Sequence, residues 1–288
     1  MKPIDLITQY RHIFNTNHTK DPDCVAAWLM DVDEDPLTDY SQNSNTGALK
    51  GPGEPNFNSS SPLAPYSGGY YTWDGDDDFV NCGNNANMNM LVGSVVAWVR
   101  ASPDNAIGQI IARDESHGVS KRDFQFRKDN TDELQFVVFV GGDVYVCTST
   151  GKIPEDGSPT HVAGTYDGET IKTYINGVND GVNTSPSGNM DNEGGYLTLG
   201  ARLQQNAVPD VYAEFFEGDI DEAGVFTRAL NATEINEIMD KGLRGKGPYP
   251  ISRLRKDRIS GYHCFIGAYM DAVRGEWEPL KQPDGTVF

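Results

Sequence analysis

Basic residues are scarce. The 288-residue chain has 23 lysines and arginines against 42 aspartates and glutamates, a formal net charge of −19. A field of that sign repels phosphates and anionic bilayers, which sets nucleic acid aside as a partner. Long hydrophobic runs are missing as well. No stretch approaches the roughly 20 apolar residues of a spanning helix, so membrane insertion is not expected. The opening MKPIDLITQYRHIFNTN is interrupted by charge before it reaches the length of a signal-peptide core, and no cleaved signal is expected. Cysteine is sparse: Cys24, Cys82, Cys147 and Cys264 lie far apart. There is no C-x-x-C pair and no histidine at zinc-ligand spacing, which removes a zinc site. Two disulfides are permitted by the even count, but a chain of this size does not need them, and buried free thiols are the expectation. No Gly-x-Ser-x-Gly elbow or phosphate-cradling glycine loop occurs. Cys147 has no adjacent histidine that would make it a nucleophile.

What the chain has is turns. Its 31 glycines and 16 prolines favour many short elements over long helices. Alternating segments bounded by Gly, Asp and Asn recur at roughly ten-residue intervals, which signals an all-β sandwich or barrel. In SVVAWVRA, Val95, Ala97 and Val99 share one side, and Val96, Trp98 and Arg100 the other. ELQFVVFVGGDVYVCTS reads as a hairpin closed at Gly141-Gly142. In HVAGTYDGETIKTYINGV, Asp167-Gly168 and Asn176-Gly177 suit turns that need positive φ. One helix is expected after Phe226. Asn231 caps it, Glu234 completes a capping box, Ile235, Ile238 and Met239 form its apolar face, and Gly242 ends it. Residues 1–22 read as an N-terminal arm, 23–242 as the sandwich and 243–288 as a C-terminal docking extension.

The order of these pieces resembles a laminin-G-like or concanavalin-A-like jelly-roll module over residues 24–240. The carrying blocks are AAWLMDVDEDPLTDYSQNSNTGAL, YTWDGDDDFVNCG, SVVAWVRAS, HVAGTYDGETIKTYINGV and FEGDIDEAGVFTRALNATEI. The resemblance implies a two-layer antiparallel jelly-roll β-sandwich with one short C-terminal helix and flanking arms. Pro159 and Thr160 stand where the family often has tryptophan before the hairpin histidine, and Gly224 interrupts the final strand.

The densest chemistry is WDGDDDF. Carboxylates this close repel one another unless a cation or strong donors compensate, and calcium takes six to eight oxygens of this kind. The resemblance implies that some such modules hold a structural calcium, with the final-strand aspartate, here Asp221, as a ligand. The candidate metal set is therefore Asp74, Asp76, Asp78 and Asp221, against the alternative of a solvated acidic turn. Glu217, Asp219 and Glu222 reproduce the Glu-x-Asp-x-x-Glu string of laminarinase-type hydrolases. In a regular strand, however, Glu222 faces away from the other two unless a bulge intervenes, and a retaining pair must sit about 5 Å apart. No catalytic residues are expected. His161 is expected to be a satisfied core histidine. Trp73 and Trp98 are expected in the core. Tyr66, Tyr70, Tyr71, Trp73 and Tyr212, with the amides of Asn84, Asn85, Asn87 and Asn89, are candidates for sugar contact, the core being the favoured place for Trp73.

The expected function is a non-catalytic binding or structural module. The first placement is a phage virion surface, made in the host cytoplasm, with a glycan as partner and neighbouring proteins held through the two arms; the basic stretch Arg253 to Arg258 would dock an acidic neighbour. An extracellular glycan-binding module and a laminarinase-like hydrolase or polysaccharide lyase are the alternatives. Homo-oligomer formation stays open.

Overall fold

The computed structural model describes residues 17–60, 62–115, 121–205 and 211–245. Most of both expected arms, including Cys264 and the Arg253 to Arg258 stretch, lies outside these residues.

Two sheets face each other. The first has eight strands. Its order is Val178–Asn183, Ile171–Ile175, Thr160–Tyr166, Gly93–Ala101, Glu217–Phe226, Tyr70–Asp74 and Asn56–Asn58, with Cys24–Trp28 also paired to Glu217–Phe226. The second has nine. Its order is Asp143–Lys152, Glu133–Val140, Lys121–Lys128, Gly108–Glu115, Leu197–Leu199, Phe79–Asn81 and Ala48–Lys50, with Arg202–Gln205 and Val211–Ala213 joined at the side. The long-range pairings are antiparallel apart from a single parallel contact between Leu203 and Glu115. This is the two-layer jelly-roll sandwich that the strand spacing and block order imply.

Period-two alternation explains which side chains meet. Val95, Ala97 and Val99 enter the core between the sheets, where Ile111, Phe124, Phe126, Phe136 and Val138 come from the opposite layer. The next residue, Val96, points to the other face of its sheet. There it packs with Cys24, Ala27, Ala163 and Phe226 against Leu230, Ile235, Ile238 and Leu243. The helix Ala232–Lys241 thus covers the back of the first sheet. Asn231 accepts from the Thr233 and Glu234 N–H groups, and the Glu234 carboxylate accepts from the Asn231 N–H, so the capping box is complete. Gly242 ends the helix at φ 70°. Burying Ile235 and Ile238 there contributes about 1.5–3 kcal/mol each. Met239 is only half-buried.

The hairpin between Ile171–Ile175 and Val178–Asn183 turns on Asn176 (φ 47°) and Gly177 (φ 75°). Two consecutive positive φ values match the right-handed twist of the flanking strands, and Asn-Gly reaches them at low cost. At Asp167-Gly168 only the glycine is left-handed. Asp167 instead accepts hydrogen bonds from the Glu169 and Thr170 N–H groups, turning the chain with its side chain. The polar stretch after Met30 is organised the same way. The buried Asp39 carboxylate accepts from the N–H groups of Ala27, Ser41 and Asn45. Cys24, Cys82 and Cys147 are buried free thiols, and burial pushes the Cys24 and Cys82 thiols far up, out of thiolate chemistry. No helix among the described residues is long and apolar enough to cross a membrane.

Candidate functional site

Three neighbouring strands of the first sheet end together and build the site. Glu217–Phe226 lies between Tyr70–Asp74 and Gly93–Ala101, in a register that puts Glu217 beside Asp74, and Asp219 between Thr72 and Arg100. A cavity of about 400 Å³ opens over these strand ends. Thr72, Asp74, Arg100, Ser102, Glu217 and Asp219 line it, with Glu155 reaching in from the loop before Thr160–Tyr166. That volume lies within the range of small-molecule sites, about 300–1,000 Å³.

Its polar groups are held in place by one another. Asp219 accepts from Thr72 Oγ1 at 2.6 Å and from Arg100 Nη1 at 2.9 Å. Arg100 in turn lies over the Tyr70 ring, 5.2 Å from its centroid. Burial pushes the Asp219 carboxyl up, and Thr72 and Arg100 restrain the shift. A hydrogen bond with Asp132 raises Glu155. Four carboxylates therefore face one guanidinium, and that guanidinium is already paired with Asp219.

Asp74 belongs to a second constellation at the same rim. Carboxylate oxygens of Asp74, Asp77 and Asp78 all lie within 4.8 Å of one another, an arrangement that can hold a metal ion. Two oxygens at about 2.4 Å from one calcium ion can be no further apart than this. Asp74 Oδ1 accepts from the Asp76 and Asp77 N–H groups at 2.9 and 3.3 Å. Desolvation opposes its ionisation, but those N–H groups and their neighbours outweigh it, and its carboxyl is lowered. Asp78 is buried, 2% exposed. Its Oδ2 accepts from the Asp74 N–H at 3.3 Å, while its Oδ1 has no hydrogen-bond partner. Burial, then the charge of Asp74, push Asp78 up to about 6. An oxygen-only donor set with one orphaned buried oxygen fits a hard cation such as the calcium considered for this turn.

The four aspartates of the expected metal set are not all brought together. Asp74 and Asp78 are in the cluster, and Asp77 joins them. Asp76 contributes its N–H to Asp74. Asp221 has other partners: it accepts from the Ala64 N–H at 2.9 Å and from Ser67 Oγ at 3.0 Å, pinning the loop before Tyr70–Asp74. It is fully buried, and burial raises its carboxyl to about 7 against these donors. The hydrolase-like string is also dispersed. Register slips by one residue between Asp221 and Gly224, at Glu222 with φ 44°. Glu222 Oε2 then accepts from the Leu243 N–H at 2.7 Å, just past the helix. Glu217 and Asp219 share the cavity, and Glu222 is elsewhere.

Other expectations are corrected. His161 is buried, but neither ring nitrogen has a hydrogen-bond partner, so it is not a satisfied histidine. Burial lowers it to about 3, and its ring packs edge-on against Trp98 at 5.4 Å. Trp73 is in the core, whereas Trp98 is half-buried on the sheet's other face. Tyr70 and Tyr71 are buried, Tyr66 is exposed, and Tyr212 stacks on Phe79 at 3.8 Å. In the asparagine-rich loop, Asn85 and Asn87 bond Asn45, and Asn89 accepts from buried Arg113, so those amides serve the fold. The sequence did not single out Thr72, Arg100, Glu155 or Asp77 as site residues. The outward phase of Arg100 on its strand was visible; Glu155 comes from a distant loop with no local signal.

The family model described as the concanavalin A-like lectin/glucanases superfamily, Laminin_G_3, matches residues 74–236. The chain belongs to this superfamily. No curated protein matches the sequence. Among solved structures, domain 4 of AbnA, a GH43 extracellular arabinanase from Geobacillus stearothermophilus in complex with arabinotriose, aligns at TM-score 0.55 and 18% identity, over 75% of this chain and 98% of that one. The binding domain of Paraclostridial Mosquitocidal Protein 1 aligns at TM-score 0.56 and 12% identity, over 78% and 55%. The receptor-binding domain of botulinum neurotoxin type G aligns at TM-score 0.53 and 13% identity, over 78% and 54%. This chain thus spans about half of the two toxin binding domains and nearly all of the arabinanase domain. At these identities the likeness is one of fold, and the superfamily member carries its own polar cavity at the strand ends described above.

Proposed function

We propose that this superfamily member is a non-catalytic glycan-binding module whose sugar site is the cavity over Thr72, Asp74, Arg100, Glu217 and Asp219. The carrying observation is the group of acceptors around the hydrogen-bonded Asp219–Arg100 pair in a cavity of small-molecule size, acceptors of the kind to which sugar hydroxyls donate. The arabinotriose bound by the arabinanase domain and the binding roles of the two toxin domains support it. Against hydrolysis, both Asp219 oxygens are already engaged, and Glu222 is turned to the helix end. A cavity of four carboxylates and one paired arginine favours neutral or amino-bearing sugars over carboxylated or sulfated ones. Calcium, where bound, would be held by Asp74, Asp77 and Asp78 and would supply a fixed positive charge at the cavity rim.

Titration of the full chain with neutral, amino-bearing and acidic oligosaccharides tests this. Binding of the first two, lost in Asp219→Ala and Arg100→Ala, is expected. No binding to any of the three, or turnover of a β-glucan lost in Glu217→Gln, would overturn it.

A second reading is display on an assembled particle, such as a virion surface. It draws support from exposed Val144, Val146, Val178 and Val182 on two edge strands, Asp143–Lys152 and Val178–Asn183. These strands are bridged where Asn183 Nδ2 donates to the Val146 carbonyl at 2.8 Å. Exposed apolar clusters mark contact surfaces. Light scattering with Val178→Asp checks it: a monomer in both forms tells against self-assembly through this edge.

A further inference from the structure

We propose that the cavity selects a ligand that carries a positive charge, an amino sugar with a free ammonium group, and that Glu217 is the residue that reads the charge. This rests on the glycan reading above and narrows it, because neutral sugars become the weaker ligands. The argument is one of charge balance across the strand register. Asp74 and Glu217 stand directly opposite each other on neighbouring antiparallel strands, and Asp219 lies two residues along from Glu217 on the same face. Like charges directly opposite one another in a sheet are destabilising. Arg100 is the one base among the described residues that line the cavity, and it is bound to Asp219 at 2.9 Å.

The acids are not equally available. Asp219 gives one oxygen to Thr72 and the other to Arg100. Asp74 Oδ1 accepts from the Asp76 and Asp77 N–H groups. Glu155 is hydrogen-bonded to Asp132. The half-buried Glu217 carboxylate has no hydrogen-bond or ion-pair partner among the described residues. Its stem is held from one side: Gly75, at φ 78°, lies so close that a Cβ there would meet the Glu217 Cβ at 2.8 Å. An ammonium suits this place, being a compact charge with three donors. Between Glu217 and Asp74 it would offset their repulsion and make charge-assisted hydrogen bonds, which are stronger than those of a hydroxyl. A neutral ring there would take water from two like charges and leave them facing each other.

The test titrates the full chain with two oligosaccharides of one backbone, an oligomer of glucosamine and its fully N-acetylated counterpart. Acetylation removes the charge and keeps the backbone. The buffer is calcium-free, so that no ion at the neighbouring turn offsets Asp74, and of low ionic strength. The free-amine form should bind about tenfold more tightly. Added salt should narrow the gap. Glu217→Gln keeps size and an acceptor and should bring the two forms to about equal affinity, by weakening the amine. Glu169→Gln removes the same charge from an exposed turn at the opposite end of the first sheet, and should leave the preference intact. Equal affinities in the wild type, or a preference that survives Glu217→Gln, would overturn the charge selection and leave the glycan reading standing. A preference lost equally in Glu169→Gln would assign it to the overall field of the chain and overturn the role of Glu217. No binding of either oligosaccharide would sink the glycan reading and this proposal with it.

Discussion

Two acidic strings, WDGDDD and EGDIDE, look alike in sequence and end in opposite situations. In the second, three of the four carboxylates have private partners, while Glu217 lines the cavity: Asp219 takes Thr72 and Arg100, Asp221 takes Ala64 and Ser67, and Glu222 takes the Leu243 N–H. In the first, three carboxylates are left facing one another, and one buried oxygen has no donor. The difference follows from where each string lies. EGDIDE runs through a central strand, where neighbouring strands and loops supply donors on both sides. WDGDDD rounds a turn, where only its own backbone N–H groups are near. Acidic residues with partners hold the fold, and acidic residues without them are left available for a ligand.

The largest effect should come from breaking a private partnership. Asp221→Ala leaves the buried Ala64 N–H without an acceptor, at a cost of about 1–3 kcal/mol, and frees Ser67 Oγ to donate to the Gly69 carbonyl alone. Chemical denaturation should show a lower midpoint with little change in slope. Asp221→Asn keeps an acceptor and should lose much less.

The same residue predicts a pH effect whose sign is unusual for an aspartate. Its folded value, about 7, lies above the ordinary 3.8. The folded state therefore binds more protons than the unfolded one between these values. The contribution is fully present below the ordinary value and is lost as pH rises through 7. Wild-type stability should fall across that window, and Asp221→Asn should flatten the Asp221 part of the fall. A wild-type melting curve that rises steadily from pH 4 to 7, with the variant parallel to it, would contradict the buried, proton-holding carboxyl.

A smaller effect is expected at Glu222. Its carboxylate meets the Leu243 N–H beyond the helix C-terminus. Glu222→Gln retains an acceptor but loses the charge assistance, which is worth about 1 kcal/mol. Hydrogen exchange should quicken at Leu243 and leave the cavity strands protected.

How much of this could be read beforehand divides along the same line. The strands, the Asn176-Gly177 turn, the capping box at Asn231 and the face of Val95, Ala97 and Val99 are local or periodic features, and the sequence showed them. The density of carboxylates at Asp74 to Asp78 was also plain. What stayed hidden needed register. Nothing local places Asp219 between Thr72 and Arg100, 147 and 119 residues away. The slip at Glu222, which breaks up the hydrolase-like string, shows only once its strand is paired with Gly93–Ala101. Asp221 was grouped with the acidic turn by resemblance, while its partners, Ala64 and Ser67, come from a loop whose position no pattern announces.

The smallest effect on stability, and the one that most sharpens the contrast, is expected at Asp77. It is the half-buried member of the turn cluster, raised by desolvation and by the charges of Asp74 and Asp76. Without an ion, Asp77→Asn removes repulsion and no partner, so the melting temperature in chelator should stay level or rise slightly. With calcium added, the order should reverse: wild type should gain stability and the variant should gain less, because a ligand is missing. An acid that belonged to the fold in the way Asp221 does would be destabilised in both conditions. A loss in chelator as large as that of Asp221→Ala would mean that the two acidic strings are doing the same work.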